Sequence, residues 1–128
     1  MQAHFLLVEN VREHYWYQLL EEALAPLGSL NIVSEEEMDL LPLKRNYDVI
    51  IADATTANDV PLLVTCLRAR FPEAKIVVVS ASPTWQRARQ AFLAGATEYI
   101  RKSSNKEETL STFKTILERP RTSKQDSD

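Results

Sequence analysis

The chain has 128 residues, 45% hydrophobic and 26% charged, which is enough to close the core of one globular domain. Fifteen Lys and Arg residues stand against 18 Asp and Glu residues, and this net charge of -3 without a basic stripe argues against direct nucleic-acid binding. One cysteine, Cys66, excludes an internal disulfide and Cys-rich zinc sites. The apolar runs are too short for a membrane span or a signal-peptide core, so we expect a soluble, cytoplasmic protein without a membrane partner.

Short β-branched runs alternate with amphipathic helical patterns along the whole chain. The predicted strands are residues 5–8, 30–33, 47–52, 75–79 and 97–100. The predicted helices that follow them are residues 16–27, 35–44, 60–71, 88–95 and 110–117. Five strands alternating with five helices predict a doubly wound parallel sheet with helices on both faces, an α/β three-layer sandwich.

Capping residues predict where several helices begin and end. Gly28 is placed to end the first helix, and Ser34 with Glu37 forms a capping box for the second. The acidic residues 35–37 are interpreted as a solvated first turn favoured by the helix dipole. Ser82–Pro83 predicts the start of the fourth helix. Cys66 lies on the third helical pattern and is predicted to be a small buried hydrophobe.

Polar residues follow four of the predicted strands at their carboxyl ends, where ligands bind in such sheets. They are Glu9 and Asn10, Asp53, Ser80, and Lys102. Two acids, an amide, a hydroxyl and a lysine should therefore converge at one edge of the sheet. Phosphoryl transfer needs such a set: an acceptor oxygen, oxygen ligands for a divalent cation, and donors or positive charge for the phosphoryl oxygens.

Four segments carry a resemblance to a known family: LLVEN, YDVIIAD, KIVVVSA and AFLAGATEYIRK. They resemble the receiver domain of two-component response regulators, and the resemblance covers residues 3–118. The last two segments lie in one ungapped block from Ser80 to Lys102. The resemblance implies a flavodoxin-like fold with strand order 2-1-3-4-5.

The resemblance also implies a role for each of four residues. Asp53 would be the phosphoacceptor, attacking a phosphohistidine on a sensor histidine kinase or phosphotransfer protein. Lys102 would bind the phosphoryl group, and Ser80 would donate a hydrogen bond to it. Tyr99 would be the aromatic switch that responds to Ser80. Such a domain is a signalling module and not an enzyme, beyond self-catalysed phosphoryl transfer and dephosphorylation.

The implied Mg2+ site comprises Glu9, Asn10, Asp53 and the backbone carbonyl of Thr55. The family normally has a second acid at the position of Asn10. Glu9 and Asp53 against one lysine give this pocket a charge of -1, where a second acid would give -2. The affinity for a hard cation decreases as the negative charge of its ligands decreases. We therefore expect weak Mg2+ binding and slow phosphorylation.

Two further departures concern loops. Ser103 replaces the proline that commonly follows the lysine, so the peptide bond before it is predicted to be trans. The segment ATTAN, residues 54–58, lacks the family's usual Met-Pro pair.

These departures leave two hypotheses within the fold. The first is a phosphorylation-competent receiver, and the alternative is a pseudo-receiver that acts as a phosphorylation-independent protein-interaction module. A nucleotide- or flavin-binding enzyme is a third hypothesis, but it requires a glycine-rich turn after the first strand. The segment ENVREHYW contains no glycine.

Trp85, Arg87 and Arg89 on the fourth helix are candidate contacts for a partner protein, because Trp and Arg are common interface anchors. Trp85 is also placed to pack inward. The resemblance implies an output domain or partner protein, or a homodimer, bound through the fourth helix, fifth strand and fifth helix. Residues 1–118 are predicted to form the domain, and the polar residues 119–128 a tail or linker, so the chain would be a single-domain regulator or part of a longer protein.

Overall fold

The computed structural model describes residues 2–10, 14–40 and 46–120, which contain ten regular elements. The strands are β1 (Ala3–Val8), β2 (Gly28–Val33), β3 (Val49–Asp53), β4 (Lys75–Ser80) and β5 (Glu98–Arg101). The helices are α1 (His14–Leu24), α2 (Glu35–Met38), α3 (Val60–Arg70), α4 (Trp85–Ala94) and α5 (Lys106–Glu118). Strands and helices alternate along the chain, as the hydrophobic periodicity predicts.

The five strands form one parallel sheet in the order β2-β1-β3-β4-β5. The predicted fold class and strand order are therefore confirmed. β3 is central and buried along its whole length, so its last residue, Asp53, is carried into the interior. The winding direction reverses at β1 and β3, and their carboxyl ends lie next to each other at one edge.

Each face of the sheet has its own apolar core, because successive side chains on a strand point to opposite faces. On one face Leu6, Ile50 and Ile76 pack with α3, and on the other Phe5, Ile51 and Val77 pack with α1 and α5. All six are fully buried. Burial of each large apolar side chain stabilises the folded state by about 1.5–3 kcal/mol. The two cores therefore stabilise the sheet whose carboxyl edge carries Asp53.

Gly28 is the first residue of β2 and not the helix cap that its sequence position predicts. Helix α1 already ends at Leu24. Gly28 pairs with Ala3, and a Cβ atom at Gly28 would lie 1.9 Å from the Ala3 carbonyl oxygen. This glycine is thus needed for the close approach of two backbones, a long-range requirement that local pattern does not show.

We expect Gly28→Ala to lower the free energy of unfolding by roughly 2 kcal/mol or more, because β1 and β2 must separate to admit the methyl group. Urea denaturation measures the loss. Ser29→Ala, at the exposed neighbouring position, is the matched control and should change stability by less than about 0.5 kcal/mol. Equal stability of the two variants would contradict this account of Gly28.

Two other local predictions differ from the structure. Helix α4 begins at Trp85 with Thr84 as its N-cap, whose hydroxyl accepts from the Arg87 amide, so the predicted cap at Ser82–Pro83 is wrong. Cys66 is exposed on α3, so its predicted burial is also wrong.

Helix α2 is a single turn with the predicted capping box at Ser34. It ends at Met38 with Asp39 as its C-cap, so the predicted helix over residues 35–44 is too long. Residues 41–44 and the tail from residue 121 lie outside the described residues. No helix in the described ranges has the length and apolar character needed to cross a membrane.

Candidate functional site

Asp53 and Lys102 form an ion pair at the carboxyl end of β3. The Lys102 Nζ lies 3.1 Å from Asp53 Oδ2, and the two side chains are 10% (Lys102) and 0% (Asp53) exposed. The other carboxylate oxygen, Oδ1, accepts a hydrogen bond of 2.9 Å from the Thr55 amide. Both Asp53 oxygens therefore have a partner, and the carboxylate is held in one orientation.

The sheet register explains why these residues meet. β4 and β5 pair Ser80 with Arg101, so Lys102 is the first residue past the end of the sheet. Its amide donates to the Ser80 carbonyl at 2.9 Å, which continues the pairing by one residue. The lysine stem can then turn back over the end of β3. Transfer of a charged group from water to the protein interior costs several kcal/mol per ion. A buried ion pair therefore destabilises the fold unless the geometry of the pair is good.

Glu9 lies beside Asp53. β1 and β3 pair Val8 with Ala52, so Glu9 and Asp53 leave adjacent strands at the same level. Glu9 is 3% exposed, and its amide donates to the Val33 carbonyl at 2.9 Å. Two buried carboxylates and one ammonium group thus meet at this edge, as the sequence predicts.

Asn10 is hydrogen-bonded to two other segments of the chain. Its Nδ2 donates to Glu35 Oε2 at 2.8 Å and to the Thr56 carbonyl at 3.0 Å, and its Oδ1 accepts from the Glu35 amide at 3.0 Å. Its backbone amide donates to Thr56 Oγ1 at 3.0 Å. Asn10 therefore joins the end of β1 to the first turn of α2 and to the loop after β3.

These contacts explain why an amide stands at position 10. An ionised aspartate has no donor for the Glu35 carboxylate and would place two negative charges at hydrogen-bond distance. Glu35 is half-buried and accepts a hydrogen bond from Asn10, so the interpretation of residues 35–37 as a solvated first turn is wrong at this position. The metal-ligand role of Asn10 stays a prediction, and its amide oxygen already accepts one hydrogen bond.

Ser80 and Tyr99 line a surface groove of about 580 Å³ together with Thr55 and Arg87. Ser80 is buried at the end of β4, and its hydroxyl accepts from the Ser82 amide at 3.1 Å. Tyr99 is half-buried and packs against the core on the α3 face. The structure thus brings the two residues to one groove, and their switch roles remain predictions.

Trp16 contacts Lys102, a contact that the sequence does not predict. Its ring centroid lies 4.7 Å from the Lys102 Nζ, and the side chain is buried on α1. In the sequence Trp16 is only the first apolar residue of a helical stripe. Its contact with Lys102 depends on the packing of α1 beside the β5–α5 loop, which local pattern does not encode.

The donors at this edge suit a hard cation. Within the described ranges no group of three or more His, Cys, Asp or Glu side chains forms a metal site by itself. Glu9 and Asp53 supply two carboxylates, and the Thr55 carbonyl belongs to the loop that wraps Asp53. Mg2+ is commonly bound by one or two carboxylates, with water and substrate phosphate completing its shell. The residues present therefore fit Mg2+, and not a nitrogen- or sulfur-bound metal.

Helix α4 carries an exposed apolar patch. Trp85 and Leu93 are each 72% exposed and Phe92 is 47% exposed. Arg87 and Arg89 on the same helix are also exposed. The alternative that Trp85 packs inward is therefore wrong, while its role as a partner contact stays a prediction.

The peptide bond before Ser103, in the loop after β5, has the predicted trans form. The described residues contain no cis peptide bond, so the bond between Lys102 and Ser103 is trans.

Solved structures share this architecture. A response regulator from Thermotoga maritima matches with a TM-score of 0.77 and 22% identity, over 93% of this chain and 100% of that chain. The chemotaxis response regulator CheY4 of Vibrio cholerae matches with a TM-score of 0.75 and 19% identity, over 91% and 99%. The receiver domain of an HD domain-containing protein from Pseudomonas fluorescens matches with a TM-score of 0.74 and 21% identity, over 92% and 96%.

No protein-family model matches the sequence, and a comparison with curated proteins finds no match. At the identities of the structural matches the likeness concerns the fold. The chain has the fold of response regulator receiver domains, as its motifs predict.

Proposed function

We propose that this chain is a response-regulator receiver domain that accepts a phosphoryl group on Asp53 and passes the change to a partner protein. The donor would be a phosphohistidine on a sensor kinase or phosphotransfer protein. The observation that carries the proposal is the buried ion pair of Asp53 and Lys102, 3.1 Å apart, at the carboxyl edge of a receiver-type sheet.

Asp53 is suited to the role of nucleophile. One of its carboxylate oxygens would attack phosphorus, so a P–O bond forms while the P–N bond of the phosphohistidine breaks. The bonding electron pair stays with the imidazole nitrogen. The Thr55 amide holds Oδ1, and the attacking carboxylate is therefore oriented before the donor arrives.

Lys102 supplies positive charge where the phosphoryl oxygens would lie. Its ammonium group already contacts Asp53 Oδ2 and has little exposed surface. A fixed cation in a site with little water stabilises developing negative charge more strongly than a cation in bulk solvent. The Ser80 hydroxyl, buried at the adjacent strand end, would donate a further hydrogen bond to the phosphoryl group.

Glu9, Asp53 and the Thr55 carbonyl would hold Mg2+, with Asn10 as a neutral fourth donor. The ion would supply charge neutralisation between the acidic pocket and the phosphoryl oxygens. Asn10 brings no charge, and its amide is hydrogen-bonded to Glu35 and Thr56. We therefore expect weaker Mg2+ binding than a pocket with a second acid would give.

Phosphorylation would be read out through α4, β5 and α5. Tyr99 on β5 lines a groove with Ser80, and the exposed Trp85 and Arg89 lie on the neighbouring helix. A shift of Ser80 toward a phosphoryl group would alter the groove beside Tyr99. The exposed face of α4 would then bind a partner protein, an output domain or a second copy of the chain.

The hydrogen bonds of Asn10 support a second candidate function. Because they join β1, α2 and the β3–α3 loop, they favour one fixed arrangement of the pocket. A pseudo-receiver would keep the fold and the α4 surface and would bind its partner without phosphorylation.

Incubation with a small phosphodonor and Mg2+, followed by intact mass measurement, separates these functions. We expect the mass of one phosphoryl group on the wild-type chain and none on Asp53→Asn, which lacks the nucleophile. Asp59→Asn is the matched control, because Asp59 caps α3 through its side chain and should not affect the reaction.

A mass gain that persists in Asp53→Asn would show that another residue is the acceptor. Absence of any gain, together with no beryllofluoride binding at high Mg2+ concentration, would favour the pseudo-receiver.

A further inference from the structure

We propose that Trp16 is a positioning residue for Lys102, holding the lysine ammonium against Asp53 through the face of its indole ring. The contact joins α1 to the residue that follows β5. It assigns to Trp16 a role in the site beyond packing in the core.

The geometry fits a cation–π contact. The Lys102 Nζ lies 4.7 Å from the ring centroid of Trp16 and 3.1 Å from Asp53 Oδ2. Trp is the strongest aromatic partner for a cation, and the attraction grows when water is excluded. Trp16 is 7% exposed and the Lys102 side chain 10% exposed, so this contact is largely shielded from water.

The edge of the Trp16 ring gives independent support. Its Nε1 is buried and has no hydrogen-bond partner among the described residues. Burying this donor without an acceptor is unfavourable, and a phenylalanine would avoid that cost. Within the described part of the chain no residue anchors the indole through its N–H group, and the contact that distinguishes it there from a plain apolar residue is between its face and Lys102.

Asp53 and Trp16 thus both contact the ammonium group. Asp53 attracts its charge, and Trp16 limits how far the flexible four-carbon stem can move away. Lys102 would then already occupy the position from which it can reach a phosphoryl group on Asp53. The kinetic consequence rests on the proposed function, whereas the position of Lys102 can be tested without phosphorylation.

The first test measures reaction of Lys102 with an amine-modifying reagent by peptide mass spectrometry, in the absence of any phosphodonor. We expect Trp16→Leu to increase modification of Lys102 roughly tenfold over wild type, and Trp16→Phe to restore most of the protection. Leu20→Ala is the packing control, because Leu20 is fully buried on the same helix and in the same core. It should leave Lys102 protected.

Fluorotryptophan incorporation provides a test that does not depend on the stability of the Leu variant. Fluorine withdraws electron density from the ring with little change of shape, so Lys102 modification should rise although the core stays packed. The other tryptophan, the exposed Trp85, is replaced by phenylalanine so that only Trp16 carries fluorine. Unchanged Lys102 modification in both Trp16→Leu and the fluorinated protein would overturn the positioning role.

Phosphorylation kinetics then test the consequence. Trp16→Leu should lower the maximal rate of Asp53 phosphorylation roughly tenfold, with a smaller change in the phosphodonor concentration giving half-maximal rate. Failure of the wild-type chain to accept phosphate would refute the proposed function, while the modification result would still decide the role of Trp16. An equal loss of rate in Leu20→Ala would show a packing effect and contradict the positioning role in the reaction.

Discussion

Lys102→Met is expected to lower the free energy of unfolding by about 3–5 kcal/mol, since it removes one member of a buried ion pair. Asp53 is fully buried, and Glu9 lies beside it at the same strand edge. Without the ammonium group, two neighbouring carboxylates would have to be desolvated near each other. Equilibrium denaturation in urea at neutral pH measures the difference from wild type.

Lys106→Met is the matched control for loss of a lysine. Lys106 pairs with Glu22 at 3.5 Å, but both side chains are more than half exposed, so its loss should cost less than about 1 kcal/mol. The double variant Asp53→Asn with Lys102→Met should recover much of the stability, because it also removes the uncompensated charge. Additive losses in the double variant would contradict a strong coupling between the two residues.

The contrast between Asp53 and Trp16 shows what the sequence could and could not predict. Asp53 follows a β-branched run directly and is itself followed by polar or turn residues. Parallel strands bring their carboxyl ends to one edge of the sheet. The place of Asp53 in the site therefore follows from local pattern and topology. The contact of Trp16 with Lys102 depends on how a helix packs against a loop far away in the sequence. No periodicity encodes that distance.

The interpretations of Gly28 and Glu35 are wrong for a related reason. A glycine after a helical pattern usually caps the helix, but here a neighbouring strand leaves no room for a side chain. Glu35 has the sequence position of a solvated first-turn acid, yet it accepts from an asparagine 25 residues away. In both cases a tertiary contact decides the role of a residue whose local signal suits another role.

The contact between Asn10 and Glu35 leads to the second large prediction, which concerns Mg2+ affinity. Asn10→Asp alone should add charge to the pocket but place two carboxylates at the present 2.8 Å contact. We expect this variant to lose about 1–3 kcal/mol of stability without Mg2+, because the Glu35 carboxylate and the Thr56 carbonyl both lose a donor. Part of that loss should be recovered when Mg2+ is added.

Combining Asn10→Asp with Glu35→Gln should remove the repulsion between the two carboxylates, because the new amide at position 35 can donate to the new carboxylate at position 10. The hydrogen bond is then kept with its direction reversed. The total charge of the chain is unchanged, but one negative charge moves from α2 to the end of β1. We expect the double variant to regain part of the lost stability, because the Thr56 carbonyl still lacks its donor, and to bind Mg2+ at least about tenfold more tightly than wild type. The rise in melting temperature with Mg2+ concentration measures this affinity.

Glu36→Gln in place of Glu35→Gln is the matched control, since Glu36 is exposed in the same turn and should not rescue Asn10→Asp. If the double variant carrying Glu35→Gln is stable yet binds Mg2+ no better than wild type, the side chain at position 10 does not act on the metal site. Position 10 would then serve only to join β1, α2 and the β3–α3 loop. If affinity and phosphorylation rate rise together, the amide at position 10 is the feature that limits this pocket, and the hydrogen bond to Glu35 is the physical reason that it is an amide.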